Sequence, residues 1–159
     1  MTLTAEKTLN LTTTPETVQW PETHYVFIEK VGSIPANAPL AWNALHPLVP
    51  AIAEHNPVTG YMSLYDMGQQ IYRAGVSVAA EPRDLPEGVG YEKFAGGKYA
   101  KFVLTGPFML LPQANGRACE LVREQRLPVR AGFNIENYVD DPRVTPEDRL
   151  RTEILFPVE

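Results

Sequence analysis

The order of apolar patterns in this 159-residue chain runs twice. Residues 24–31 (HYVFIEKV) alternate as a strand does, with Tyr25, Phe27, Glu29 and Val31 on one side and Val26, Ile28 and Lys30 on the other. Leu40, Ala41, Ala44, Leu45 and Leu48 then recur three and four apart, which predicts a helix over 39–48 with Pro39 in its first turn. Strands over 61–67 and 71–79 follow. Residues 81–90 (EPRDLPEGVG), with two prolines, two glycines and four charges, read as a linker. After it come a strand (97–104), a helix (113–125, with Ala114, Ala118, Leu121 and Val122 on one stripe) and two strands (133–139 and 151–158). Gly32 and Gly106 hold equivalent corners, 106 − 32 = 74 positions apart, and Tyr65 and Tyr138 are 138 − 65 = 73 apart. A nearly constant offset across different elements is the mark of a duplicated module. The expected fold is α+β: two strand–helix–strand–strand modules about a pseudo-twofold axis, with a central cleft.

The expected organisation is an N-terminal arm over 1–22, rich in Thr and able to supply an edge strand, and one domain over 23–159. Module one covers about 23–80 and module two about 91–159. The 15 prolines suit short elements better than long helices.

Charge and composition exclude several roles. Fourteen Lys and Arg against nineteen Asp and Glu leave −5, with no basic cluster, so direct nucleic-acid binding is not expected. No run of about 18 apolar residues is present, and residues 1–20 carry no basic start followed by an apolar stretch, so neither a membrane span nor a secretory leader is expected. The single cysteine, Cys119, fits a reducing cytoplasm and reads as a spectator. His24, His46 and His55 lack metal-type spacing, so no metal or other cofactor is expected.

Chemistry concentrates in residues 133–139 (FNIENYV). Alternation sets Phe133, Ile135 and Val139 on one face, expected to meet a helix, and Asn134, Glu136 and Tyr138 on the other. In module one, Met62 and Leu64 take the helix side and Tyr61, Ser63 and Tyr65 the opposite face. Both halves thus bring tyrosines to the axis, and only module two adds a carboxylate, because Ser63 stands where Glu136 would be. Electron-rich rings attract cations by about 0.5–2 kcal/mol each. A carboxylate sheltered from water pulls harder on a positive charge and holds its proton more tightly. Such a site suits a flat or apolar organic cation, or general acid–base work. The same glutamate on a solvated sheet face would do neither. Trp42, on the first helix but off its apolar stripe, either packs on the sheet edge or walls the pocket.

The stretch 133–142 (FNIENYVDDP), followed by 152–158 (TEILFPV), resembles the closing signature of the GyrI-like small-molecule-binding family, the effector-binding domains of AraC-type and MerR-type multidrug regulators and their stand-alone relatives. Residues 98–102 (KYAKF) with 105–108 (TGPF) resemble the opening of the family's second module, and 27–34 (FIEKVGSI) the first more loosely. The resemblance spans about 24–158 and implies the doubled fold. It also implies that Glu136 is the pocket glutamate, with Tyr138, Tyr65, Tyr61 and Trp42 as ligand-binding walls. Glu153 matches the second signature glutamate and reads as structural. Residues 1–22 have no room for a helix-turn-helix. The expected partner is therefore a lipophilic or cationic small molecule. A hydrolase branch acting on cyclopropane-bearing electrophiles, with Glu136 as base and Tyr138 beside it, is the first alternative. A gyrase-interacting, inhibitor-like protein is the second.

Overall fold

The computed structural model describes residues 9–159; residues 1–8 of the expected arm lie outside the described residues. The strands are β1 (Asn10–Leu11), β2 (Glu16–Trp20), β3 (Thr23–Val31), β4 (Val58–Asp66), β5 (Ile71–Val78), β6 (Gly90–Phe94), β7 (Gly97–Thr105), β8 (Asn134–Tyr138) and β9 (Arg151–Pro157). The helices are α1 (Ile34–Leu45), α2 (Val49–His55) and α3 (Leu111–Glu124). Among the described residues the strands form one antiparallel sheet in the order β1-β7-β9-β8-β4-β5-β3-β6, with β2 also on β7.

The order is symmetric about the β4–β8 pair. Outward on one side run β4, β5, β3 and β6; on the other run β8, β9, β7 and β2. The edge strands are exchanged: β2, which precedes module one, lies on β7, and β6, which precedes module two, lies on β3. They are themselves repeat equivalents, since 90 − 16 and 94 − 20 both give 74. The repeated unit is therefore strand–strand–helix–strand–strand. β6 escaped the sequence reading because GYEKF is short and carries two charges, so a linker pattern ran straight into it.

α1 begins five residues before its predicted start. Pro35 sits in the first turn, where its missing N–H costs nothing, and Pro39 falls inside the helix, where one backbone bond is forfeited. Gly32 and Gly106, which precede the two helical segments, both adopt positive φ (124° and 146°). A residue with a Cβ would be strained at either corner.

The expected side for the helices is reversed. Ala41 and Leu45 of α1 and Ile52 of α2 pack on Val26, Ile28, Tyr65, Tyr72, Ala74 and Val76. Ala114, Ala118, Leu121 and Val122 of α3 pack on Phe102, Leu104, Ile154 and Phe156. Met62, Leu64 and Ile135 instead face away from the helices, in a third cluster with Tyr25, Phe27, Phe94, Tyr99 and Leu155. Strand alternation decides which residues share a face, and says nothing about which face receives the helices. The helix-free face is closed by aromatic side chains from both modules, among them Trp20 and Phe94 on the exchanged strands. Tyr25 lies across Gly75, where a Cβ would come within 2.5 Å of both the ring and the Val26 carbonyl oxygen.

Candidate functional site

The two modules join where β4 pairs with β8, in the register Tyr61–Tyr138, Met62–Asn137, Ser63–Glu136, Leu64–Ile135 and Tyr65–Asn134. Antiparallel partners here keep a constant sum of residue numbers, and repeat equivalents keep a difference of 73. Only Ser63 and Glu136 satisfy both. The pseudo-twofold axis therefore passes through this pair, and the two halves differ in charge at their common centre.

The helices cover the pair from equivalent positions, because 115 − 42 is also 73. Trp42 of α1 donates its indole N–H to Tyr72 Oη (2.8 Å) and more weakly to Ser63 Oγ (3.3 Å). Asn115 of α3 donates its amide N–H to Glu136 Oε2 (2.8 Å). Tyr65 in turn donates to Asn115 Oδ1 (2.9 Å). Between the two helices runs a line of hydroxyls: Tyr72 to Ser63 (2.6 Å), Ser63 to Tyr138 (2.7 Å), and Tyr138 to Glu136 Oε1 (2.5 Å).

One direction of donation satisfies every member. An indole can only donate and a carboxylate can only accept. Tyr138 spends its proton on Glu136, so it accepts from Ser63. Ser63 therefore accepts from Tyr72, and Tyr72 accepts from Trp42. Each O–H dipole points at the next, and the line ends on the carboxylate. Bonds aligned this way polarise one another.

Burial works against that charge. Glu136 is 8% exposed and Ser63 is fully buried. Loss of water pushes the Glu136 carboxyl above the usual range, opposed by the Tyr138 and Asn115 hydrogen bonds. The Tyr65, Tyr72 and Tyr138 phenols are pushed up first by burial and then by the neighbouring carboxylate. All three stay protonated, as the donor line requires. Among the described residues no Lys, Arg or His forms an ion pair with Glu136.

Glu136, Tyr138, Tyr65, Tyr61 and Trp42 thus meet on one face, although that face lies beneath the helices. Trp42 stacks with Tyr61 (6.5 Å between centroids) and stands edge-on to Tyr138 (5.4 Å). Phe108 also stands edge-on to Tyr138 (5.6 Å). Side chains from both modules hydrogen-bond and pack edge-on at the centre expected to carry a cleft. Cavities of about 420 Å³ beside Leu9 and Gly116, and of about 460 Å³ beside Trp20 and Ser77, are lined by neither Glu136 nor Tyr138. Sequence reasoning did not bring Asn115, Phe108 or Tyr72 to the site. The 73-residue step from Trp42 to Asn115 was the available signal. Glu153 faces the other way, bridging Lys101 (3.3 Å) and accepting from Asn137 (2.9 Å).

Comparison with known proteins agrees with this architecture. The family model of the GyrI-like small molecule binding domain matches residues 13–159, and the chain belongs to that family. No curated protein matches the sequence. Among solved structures, SAV2435 bound to tetraphenylphosphonium superposes with a TM-score of 0.73 at 16% identity, over 91% of this chain and 93% of that one. The EcmrR C-terminal domain gives 0.70 at 16%, over 95% and 98%. A hydrolase from Listeria innocua gives 0.58 at 13%, over 99% and 98%. At these identities the likeness is one of fold. Among the described residues no helix is long and apolar enough to cross a membrane.

Proposed function

We propose that this GyrI-like domain binds an apolar organic cation between its modules, with Glu136 as counter-charge and Trp42, Tyr61, Tyr65 and Tyr138 as aromatic walls. The observation that carries this reading is a buried carboxylate held by two neutral donors and, among the described residues, by no cation. Burying an unpaired charge is costly, and an organic cation is the partner such a site lacks. The tetraphenylphosphonium held by SAV2435 belongs to that chemical class. Entry requires rings at the site to move, and Phe108, on a single 3-10 turn (Phe108–Leu110), meets Tyr138 edge-on.

Calorimetry with tetraphenylphosphonium on the native protein and on Glu136→Gln tests the reading. Loss of the buried counter-charge weakens binding at least tenfold, about 1.4 kcal/mol. Equal affinity in the two proteins removes the counter-charge role. The hydrolase alternative has less support, since a general base must reach a water and Glu136, 8% exposed, lies beneath the helices.

A further inference from the structure

The module comparison exposes one more polar group at this site. In β4–β5, Tyr65 stands opposite Tyr72; in β8–β9, Tyr138 stands opposite Thr152. Since Tyr65 and Tyr138 are repeat equivalents, so are Tyr72 and Thr152. The Tyr72 hydroxyl is fully used, taking the Trp42 N–H and donating to Ser63. Thr152 is fully buried on the helix face, and its Oγ1 has no partner. Direct cross-strand neighbours have Cβ atoms about 4.5–5.5 Å apart, so Thr152 stands beside Tyr138 on this face. On its other side Thr152 stands opposite Leu104 of β7, so it is enclosed between two strands beneath the helix face.

A buried hydroxyl left unpaired costs about 1–3 kcal/mol. Valine would fill the same volume without that cost. Thr152 shares the helix face with Glu136, so displacement of its cross-strand neighbour Tyr138 would open the group to the same site.

We infer that Thr152 is a second polar contact of the Glu136 site, so that the preferred ligand is an organic cation that also carries a hydrogen-bonding group, such as an aryl amine, and not one clothed entirely in hydrocarbon. The inference rests on the Glu136 reading and names the ligand class more narrowly.

Two probes separate the roles. Tetraphenylphosphonium has charge and rings but no hydrogen-bonding group; ethidium has charge, rings and two aryl amines. Both are titrated by fluorescence or calorimetry against the native protein, Thr152→Val, Thr152→Ser and Glu136→Gln. The expected result is that Thr152→Val weakens ethidium about five- to tenfold, leaves tetraphenylphosphonium within twofold, and is rescued by Thr152→Ser. Thr152→Ala stands in if the valine variant does not fold. Ethidium binding within twofold of native in the variant, an equal loss for both probes, or a native protein that binds tetraphenylphosphonium alone overturns the inference while leaving Glu136 in place. A native protein that binds neither probe, or Glu136→Gln that binds both unchanged, overturns the Glu136 reading and this inference with it.

Discussion

The two faces of the sheet show how a duplicated chain divides its labour. On the helix-free face the repeats stay alike: Tyr25 and Tyr99 are 74 apart, both are buried, and each donates its hydroxyl to a backbone carbonyl, Met62 for the first and Phe133 for the second. Trp20 and Phe94 hold equivalent places on the exchanged strands. On the helix face the repeats diverge at the positions nearest the axis. Ser63 faces Glu136, Trp42 answers Asn115, and Tyr72 answers Thr152. A symmetric scaffold would put two identical groups at its centre, and two carboxylates a cross-strand distance apart would repel. Divergence at three positions leaves a single charge with a ring-lined module on one side and an amide on the other.

If the helix-free face is common scaffold, equivalent residues there should matter equally. Tyr25→Ala and Tyr99→Ala should each cost about 3–5 kcal/mol in urea denaturation, the range for emptying a large buried aromatic site. A Tyr99→Ala loss below 1 kcal/mol would break the symmetry claimed for this face. Gly75→Ala should approach the same cost, because the new methyl meets the Val26 carbonyl oxygen, which cannot step aside as a side chain can.

The sequence made the repeat legible, and with it the equivalence of Ser63 and Glu136, because period-two alternation and glycine corners survive divergence. It also put Glu136, Tyr138, Tyr61 and Tyr65 on one face. It could not say that this face lies under the helices. A strand whose two faces both carry large side chains gives no sign of which one receives them: Met62 and Leu64 look apolar enough for a helix, yet Tyr61 and Tyr65 serve once their hydroxyls find partners. Trp42 lay off the apolar stripe because its indole N–H was wanted by Tyr72. Asn115 looked like an ordinary polar helix residue, since its role depends on contacts with strands β4 and β8, 50 and 21 residues away in sequence.

The helix-face contacts should cost less than the scaffold, and unequally. Asn115→Ala takes a donor from Glu136 and an acceptor from Tyr65 together, for an expected loss of about 2–3 kcal/mol near neutral pH. Trp42→Phe keeps most of the ring and leaves Tyr72 and Ser63 to bond each other, for about 1 kcal/mol. Thermal or urea unfolding of the pair checks the order. Equal losses would mean that the charge at the axis makes no difference to what each helix contributes.

The smallest effect is the most specific to the asymmetry. The Glu136 carboxyl is held above its ordinary range in the folded protein, mainly by burial, while the Tyr138 and Asn115 hydrogen bonds pull the other way. The folded state therefore binds more protons than the unfolded state between the ordinary carboxylate value and the raised one. Stability must then fall as pH rises through that window and recover as pH drops back below it, the reverse of a salt-bridged carboxylate. Glu136→Gln cannot titrate, so melting temperatures of native and variant protein, followed from neutral pH down to about 4, should show the native gaining on the variant as acid is added. The gain is small because two hydrogen bonds already offset part of the lost hydration. Asn115→Ala removes one of those offsets, so the pH-dependent part should widen in that background. A difference that stays flat with pH, or one that grows in favour of the variant under acid, would mean that the carboxylate at the axis is not desolvated in solution, and the distinction between the two halves would reduce to packing.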